Sequence, residues 1–386
     1  MDEHIVFLKL NFLLILMFVV SYLLRGLGIP PIVSFLIVGF SAKLWIEPEG
    51  TELLELFKEA GIILLFFFIG MEYSIERLRN VLRIWKPALI DLILNFLPIF
   101  FLAKAFGFST LTSLLIAGAF YPSSTSIVAK LLMDFKRLAS PEAELLIGIL
   151  IFEDLFAILL ISLMIPLKEA GSLEPSVLPL SIIKMAVVLA VFLIVHKFLI
   201  PRLKSILERI ADDENFVFFI LGLVLLAGYS FKLTGLSDVL GAFLIGVLVP
   251  EGRTVQSIEK HLSAFKELSI GIFFFFFAFE SDVLIPEDLT ALAVLSISGI
   301  ALKVVSTFWS AKVYGMKKKA VIRTSLSFVP RGEFSIVIAS FDPVVKVITL
   351  PFIFLSAVIG SFMFVFAPKV SEFLARRAAF PSRKAV

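Results

Sequence analysis

Gly148-Ile149-Leu150-Ile151-Phe152-Glu153-Asp154-Leu155-Phe156-Ala157-Ile158 sets two adjacent carboxylates in the middle of an apolar run from about Leu145 to Ile165. A run of that length reaches across the hydrocarbon core of a bilayer. An ionised carboxylate is expensive there, and the default reading is a functional site. No polar face accompanies the pair, so a surface helix with an acidic edge fits poorly. Two readings stay open: a pair that handles ions, and a structural ion pair inside a helix bundle.

The rest of the chain shares this character. Of its 386 residues, 59% are hydrophobic and 17% charged, against about 25% charged in soluble domains. Repeated apolar runs of about 20 residues make this an all-α, polytopic membrane protein with membrane lipid as its surroundings. There is no Cys, which excludes disulfides, thiol catalysis and Cys-ligated metal. His4, His196 and His261 stand far apart and form no zinc-binding spacing. No enzyme motif is present, and neither a cofactor nor a nucleic-acid partner is expected. The first apolar run is too long for a cleavable signal peptide and lacks a small-residue cleavage site, so it reads as the first span.

Thirteen transmembrane helices are expected, at 5–24, 29–45, 53–72, 87–106, 109–133, 145–166, 178–200, 215–231, 237–250, 264–280, 291–313, 320–341 and 347–367, with the ninth and tenth short or broken. Basic residues crowd the loops after odd-numbered spans: Arg77, Arg79, Arg83 and Lys86 after the third, Lys317, Lys318, Lys319 and Arg323 after the eleventh, Arg376, Arg377, Arg383 and Lys384 after the last. Loops after even-numbered spans hold Lys104, Lys168, Lys232 and Lys346, and are otherwise acidic through Glu47, Glu49, Glu52, Glu169, Glu174, Asp282, Glu287 and Asp288. The positive-inside rule then puts the N-terminus outside and the C-terminus in the cytoplasm. An even span count would break this alternation.

The chain also resembles itself at an offset of 208 residues. Phe35-Leu36-Ile37 meets Phe243-Leu244-Ile245, and Phe57-Lys58-Glu59 meets Phe265-Lys266-Glu267. Phe66-Phe67-Phe68 meets Phe274-Phe275-Phe276, Glu72 meets Glu280, and Pro122 meets Pro330. The shift is seven spans, an odd number, so the two six-helix halves have opposite orientation and span seven links them. Inverted-topology repeats typify secondary transporters, with the site near mid-membrane on discontinuous helices.

Pro122 and Pro330 supply those discontinuities. Each removes a backbone donor and clashes with the preceding turn, which breaks spans five and twelve. Unwound backbone at membrane depth is tolerated only where protein buries it or a cavity is lined by it. Ser123, Ser124 and Thr125 follow the first break; Arg331, Gly332 and Glu333 follow the second. Freed carbonyls and hydroxyls are hard oxygen ligands suited to a partly dehydrated alkali cation. Lys303, Arg331 and Glu333 are the further intramembrane charges, giving two cations against three carboxylates. A desolvated carboxylate beside a cation sits between opposing effects, and competition between a proton and a cation for one such site suffices for exchange. The same three charges also read as structural ion pairs.

These pieces together resemble the monovalent cation:proton antiporter-2 family, which holds sodium/proton exchangers and Kef-type potassium/proton systems. The matching residues are Gly61-Ile62-Ile63-Leu64-Leu65-Phe66-Phe67-Phe68-Ile69-Gly70-Met71-Glu72, Ser123-Ser124-Thr125, Phe152-Glu153-Asp154, Gly241-Ala242-Phe243-Leu244-Ile245-Gly246 and Arg331-Gly332-Glu333-Phe334. The resemblance implies one transmembrane unit over 1–386, with a dimerisation part at 1–80 and 210–285, a core transport part at 81–170 and 286–370, and a linker helix at 178–209. It implies a homodimer, two crossing unwound helices and an elevator-like movement that exchanges Na⁺ or K⁺ for H⁺ across a prokaryotic cell membrane. It carries Asp154 over as the ligand of the transported cation and proton, Lys303 as the partner of Glu153, and Ser123, Ser124 and Thr125 as the unwound crossing. The family's usual residues before the aspartate are Asp, Asn and Gln; here Glu153 stands there. No C-terminal nucleotide-binding domain is expected, and a regulatory chain would be a separate cytoplasmic protein. A sodium-coupled symporter of an organic anion on a related fold is the alternative, although Asp154 would repel a carboxylate substrate. A potassium channel lacks its filter sequence here.

Overall fold

The computed structural model describes residues 3–25, 31–44, 52–73, 83–169, 177–211, 213, 215–250, 252–280 and 289–377. The loop charges Glu47, Glu49, Arg77, Arg79, Glu174, Asp282, Glu287, Asp288, Arg383 and Lys384 lie outside the described residues. Among those described, the regular structure is helical. In order the helices are α1 (Glu3–Arg25), α2 (Pro31–Ala42), α3 (Glu52–Glu72), α4 (Trp85–Ala105), α5 (Thr110–Phe120), α6 (Thr125–Asp134), α7 (Pro141–Glu169), α8 (Val177–Phe198), α9 (Ile200–Ile210), α10 (Phe216–Leu233), α11 (Asp238–Leu248), α12 (Arg253–Phe279), α13 (Leu289–Val313), α14 (Lys318–Ser325), α15 (Glu333–Ala339) and α16 (Pro343–Arg377). Seven of these described helices, α4, α7, α8, α10, α12, α13 and α16, are long and apolar enough to cross a membrane. Shorter apolar stretches lie in α1, α2, α5 and α11.

Span ten differs from its expected short form. α12 is continuous over 27 residues. Its polar first half still buries Thr254, Ile258 and Leu262, four residues apart and so on one helix face, which extends the helix well before residue 264.

The chain divides into two compact units, Met1–Arg77 with Ile158–Glu280, and Leu78–Ala157 with Ser281–Val386. In the first unit α12 packs on α2 and α3, and α11 on α3 and α10. Its core gathers Leu13 and Met17 of α1, Val38 and Ala42 of α2, and Ile272, Phe275, Phe276 and Phe279 of α12. Lys58 lies 5.3 Å from the centroid of the Phe276 ring and pairs with Glu280, while Lys266 lies 4.6 Å from that of Phe68. α3 and α11 meet through glycine. A Cβ on Gly246 would overlap the Phe67 carbonyl oxygen and stand 2.9 Å from Gly70 Cα. Gly246→Val therefore forces the two helices apart, an overpacking cost of about 1–3 kcal/mol. Its expected readout is a lower unfolding midpoint of the purified protein in detergent; an unchanged midpoint would refute this packing.

In the second unit α4 and α13 run antiparallel, since Ser310 Oγ donates to the Pro87 carbonyl at 2.7 Å while Lys303 and Ser306 bond Asp91. The apolar core draws Val128 and Leu132 from α6, Leu146, Ile149 and Leu150 from α7, and Phe328 and Phe364. One end of this unit is fastened by Glu142, fully buried between Arg137 at 2.7 Å and Arg323 at 2.5 Å. Arg137 also donates to Ser327 and lies over the Phe364 ring. Burial pushes the Arg137 guanidinium below its ordinary value, and Glu142 opposes that shift.

Candidate ion-binding site

The site lies within the second unit, where two helices stop in mid-course. α5 ends at Phe120, and Pro122 follows. Ser124 is extended and caps α6, its hydroxyl accepting from the Ile127 N–H at 3.3 Å. On the other segment α14 ends at Ser325 and α15 begins at Glu333, with Pro330 between. The two interruptions meet in an antiparallel bridge between Ser123 and Arg331, and the Ser124 N–H donates to the Pro330 carbonyl at 2.8 Å. Backbone groups freed by the prolines thus satisfy one another across the break.

Arg331 and Glu333 stabilise the broken ends. The Arg331 guanidinium donates to the Phe120 carbonyl at 2.8 Å, the Val329 carbonyl at 3.2 Å and Ser123 Oγ at 3.1 Å. A fixed cation at the C-terminal end of α5 matches the negative pole of the helix. The Glu333 carboxylate accepts from Ser124 Oγ at 3.2 Å and Ser126 Oγ at 3.1 Å, at the start of both α6 and α15. An anion matches the positive pole of a helix start.

Glu153 and Asp154 are both buried but face different partners. Glu153 Oε2 accepts the Ser123 N–H at 2.7 Å, and Lys303 Nζ contacts Glu153 Oε1. Asp154 Oδ2 accepts from Thr125 Oγ1 at 3.2 Å. Adjacent positions on a helix point about 100° apart, which separates the two carboxylates. The three successive hydroxyls are likewise divided: Ser123 serves Glu153 and Arg331, Ser124 serves Glu333, and Thr125 serves Asp154.

Asp91 is the residue that the charge inventory above lacks. It is fully buried on α4, with Oδ2 at 2.8 Å from Lys303 Nζ and Oδ1 accepting from Ser306 Oγ at 2.6 Å. The ammonium is therefore shared by two carboxylates, and its open side faces the rings of Phe328 at 4.6 Å and Tyr121 at 5.1 Å. With Asp91 the buried charges around the two interruptions become four carboxylates (Asp91, Glu153, Asp154, Glu333) against two cations (Lys303, Arg331), apart from the Arg137–Glu142 pair at the end of the unit. The signal was in the sequence: an acid inside span four, and a polar stripe of Lys303, Ser306, Thr307 and Ser310 at helical spacing to meet it. Asn95, one turn from Asp91 and equally buried, keeps both side-chain polar atoms without a hydrogen-bond partner.

Long apolar helices, two of them interrupted around buried acids and bases, define an integral membrane transporter. The chain belongs to the sodium/hydrogen exchanger family, whose transmembrane model matches residues 13–376. It is 32% identical to the ammonium/H⁺ antiporter subunit AmhT of Alkalihalophilus pseudofirmus over 365 residues, 93% of each chain. It is 30% identical to the K⁺/H⁺ antiporter subunit KhtU of Bacillus subtilis over 297 residues, 76% of this chain and 72% of the relative. Its fold is similar to that of the sodium proton antiporter MjNhaP1 of Methanocaldococcus jannaschii, with a TM-score of 0.65, 15% identity, and coverage of 96% of this chain and 99% of the other.

Proposed function

We propose that the protein exchanges a monovalent cation for H⁺ across a prokaryotic cell membrane, with Asp154 binding the cation and the proton in turn. The observation that carries this is the buried Glu153–Asp154 pair beside two interrupted helices, in a chain of the exchanger family. A hard carboxylate oxygen with a Thr125 hydroxyl beside it suits Na⁺ or K⁺, and the named activity of AmhT adds ammonium to the cations worth testing.

The second unit is the moving part in this reading, and the first is the scaffold of a homodimer. Counting α5–α6 and α14–α15 as one interrupted crossing each, and leaving the amphipathic α9 at the surface, gives thirteen crossings with a cytoplasmic C-terminus. The inverted repeat is supported by pairs that the 208-residue offset exchanges or maps onto themselves. Lys58 on Phe276 becomes Lys266 on Phe68, Gly61 packs on Ser269, and Ser123 bridges Arg331.

The test uses purified protein in proteoliposomes with a trapped pH dye and a preset proton gradient. Na⁺, Li⁺ or K⁺ added outside is expected to dissipate the gradient, with ammonium scored against protein-free vesicles. Silence towards all four cations would overturn antiport. A potassium-ionophore clamp in the same vesicles reports whether the exchange moves net charge.

A further inference from the structure

We propose that Asp91 is a positioning residue that holds the Lys303 ammonium whenever Glu153 releases it, so that Lys303 stays charged and paired throughout the transport cycle. This rests on the antiport reading above and deepens it. An ammonium has three donors; here one meets Asp91 and one Glu153, and the third side faces two aromatic rings. A cation approaching the Glu153–Asp154 pair repels Lys303. With Glu153 as its sole partner, the ammonium would have to become an unpaired buried charge, which is strongly unfavourable. Asp91 removes that barrier. It is fixed from its other side by Ser306 Oγ, and so presents Oδ2 to Lys303 in a constant position. Lys303 then shifts its weight between two carboxylates 62 positions apart in the chain, and the protons that are exchanged ride on carboxylates.

The charged and titratable groups facing Lys303 are Asp91 from α4, Tyr121 from the first interruption and Glu153 from α7, with Arg331 beyond Ser123. α14 and α16, which also pack on α13, carry Arg323, committed to Glu142, and Lys319 paired with Glu372.

The experiment measures KM and kcat for the driving cation in proteoliposomes from pH 6 to pH 9. In Asp91→Asn the ammonium stays on Glu153 and competes with the cation, so KM is expected to rise about tenfold with kcat largely kept, the scale of one lost hydrogen bond to a charged group. The penalty should persist at alkaline pH, where the wild-type KM has levelled off because protons no longer compete. Asp91→Glu should recover most of it. In Asp91→Asn/Lys303→Met the penalty should vanish, because the competitor is gone. A wild-type KM in Asp91→Asn, or a penalty that survives removal of Lys303, overturns the proposal. Loosened packing alone would lower the folded fraction and kcat equally at every pH, and that pattern also overturns it. If Asp91→Asn gives too little folded protein, Ser306→Ala reads the same contact, with KM expected to rise about twofold to threefold; an unchanged KM there counts against the proposal. Wild-type vesicles silent to every cation would fail the antiport reading, whereas active vesicles with an indifferent Asp91 fail this inference alone.

Discussion

Asp154→Asn protein, reconstituted with a trapped pH dye, is expected to leave a preset proton gradient at the level of protein-free vesicles when any cation is added. The substitution keeps shape and one acceptor oxygen, so the contact with Thr125 Oγ1 at 3.2 Å can persist and the fold has no reason to change. What disappears is a unit charge and the capacity to bind a proton. At about 4 Å and an effective dielectric near 20, one unit charge contributes roughly 4 kcal/mol to holding a cation, or about a thousandfold in Kd. An amide also has no proton to exchange for the cation. Glu153→Gln provides the contrast. It removes one of the two carboxylates on Lys303 and leaves Asp91 in place, so folded protein with altered affinity is expected. Wild-type exchange by Asp154→Asn would remove Asp154 from the site.

Apolar length and proline made the helical elements and their two interruptions legible, because each acts through local physics. Pro122 and Pro330 each remove a backbone donor and crowd the preceding turn, and α5 and α14 do end before them, whereas Pro98 in α4 and Pro351 and Pro368 in α16 sit inside continuous helices. Side-chain directions around the breaks were harder to read. Ser123, Ser124 and Thr125 look like one ligand set when written in a row. The backbone at Ser124 is extended, and successive side chains of extended backbone point opposite ways, so each hydroxyl finds a different acid. Asp91 was missed for another reason. Its meaning depends on Lys303, 212 residues away, and that pairing exists only once α4 and α13 lie side by side. A single acid in an apolar span was visible; its partner was a tertiary fact.

Lys303→Met is expected to be the most destabilising single substitution at the site. Methionine fills the volume of the lysine stem, so packing against Phe328 and Tyr121 survives, while Asp91 and Glu153 are left facing each other with no cation between them. Removing one partner of a buried ion pair costs about 3–5 kcal/mol, because the remaining charge keeps its desolvation penalty and loses its compensation. Here two carboxylates are stranded, which places the cost towards the upper end. The check is the unfolding midpoint in detergent as a function of pH. The deficit against wild type should be largest at neutral pH and should shrink on acidification, since protonation neutralises the stranded carboxylates. Adding Asp91→Asn should recover part of the loss, because it removes one of the two stranded carboxylates and their mutual repulsion, while Glu153 still lacks its cation. The non-additivity of the two substitutions then measures their coupling directly. Wild-type stability for Lys303→Met at neutral pH, or strict additivity with Asp91→Asn, would mean that the ammonium is not what holds these two acids together.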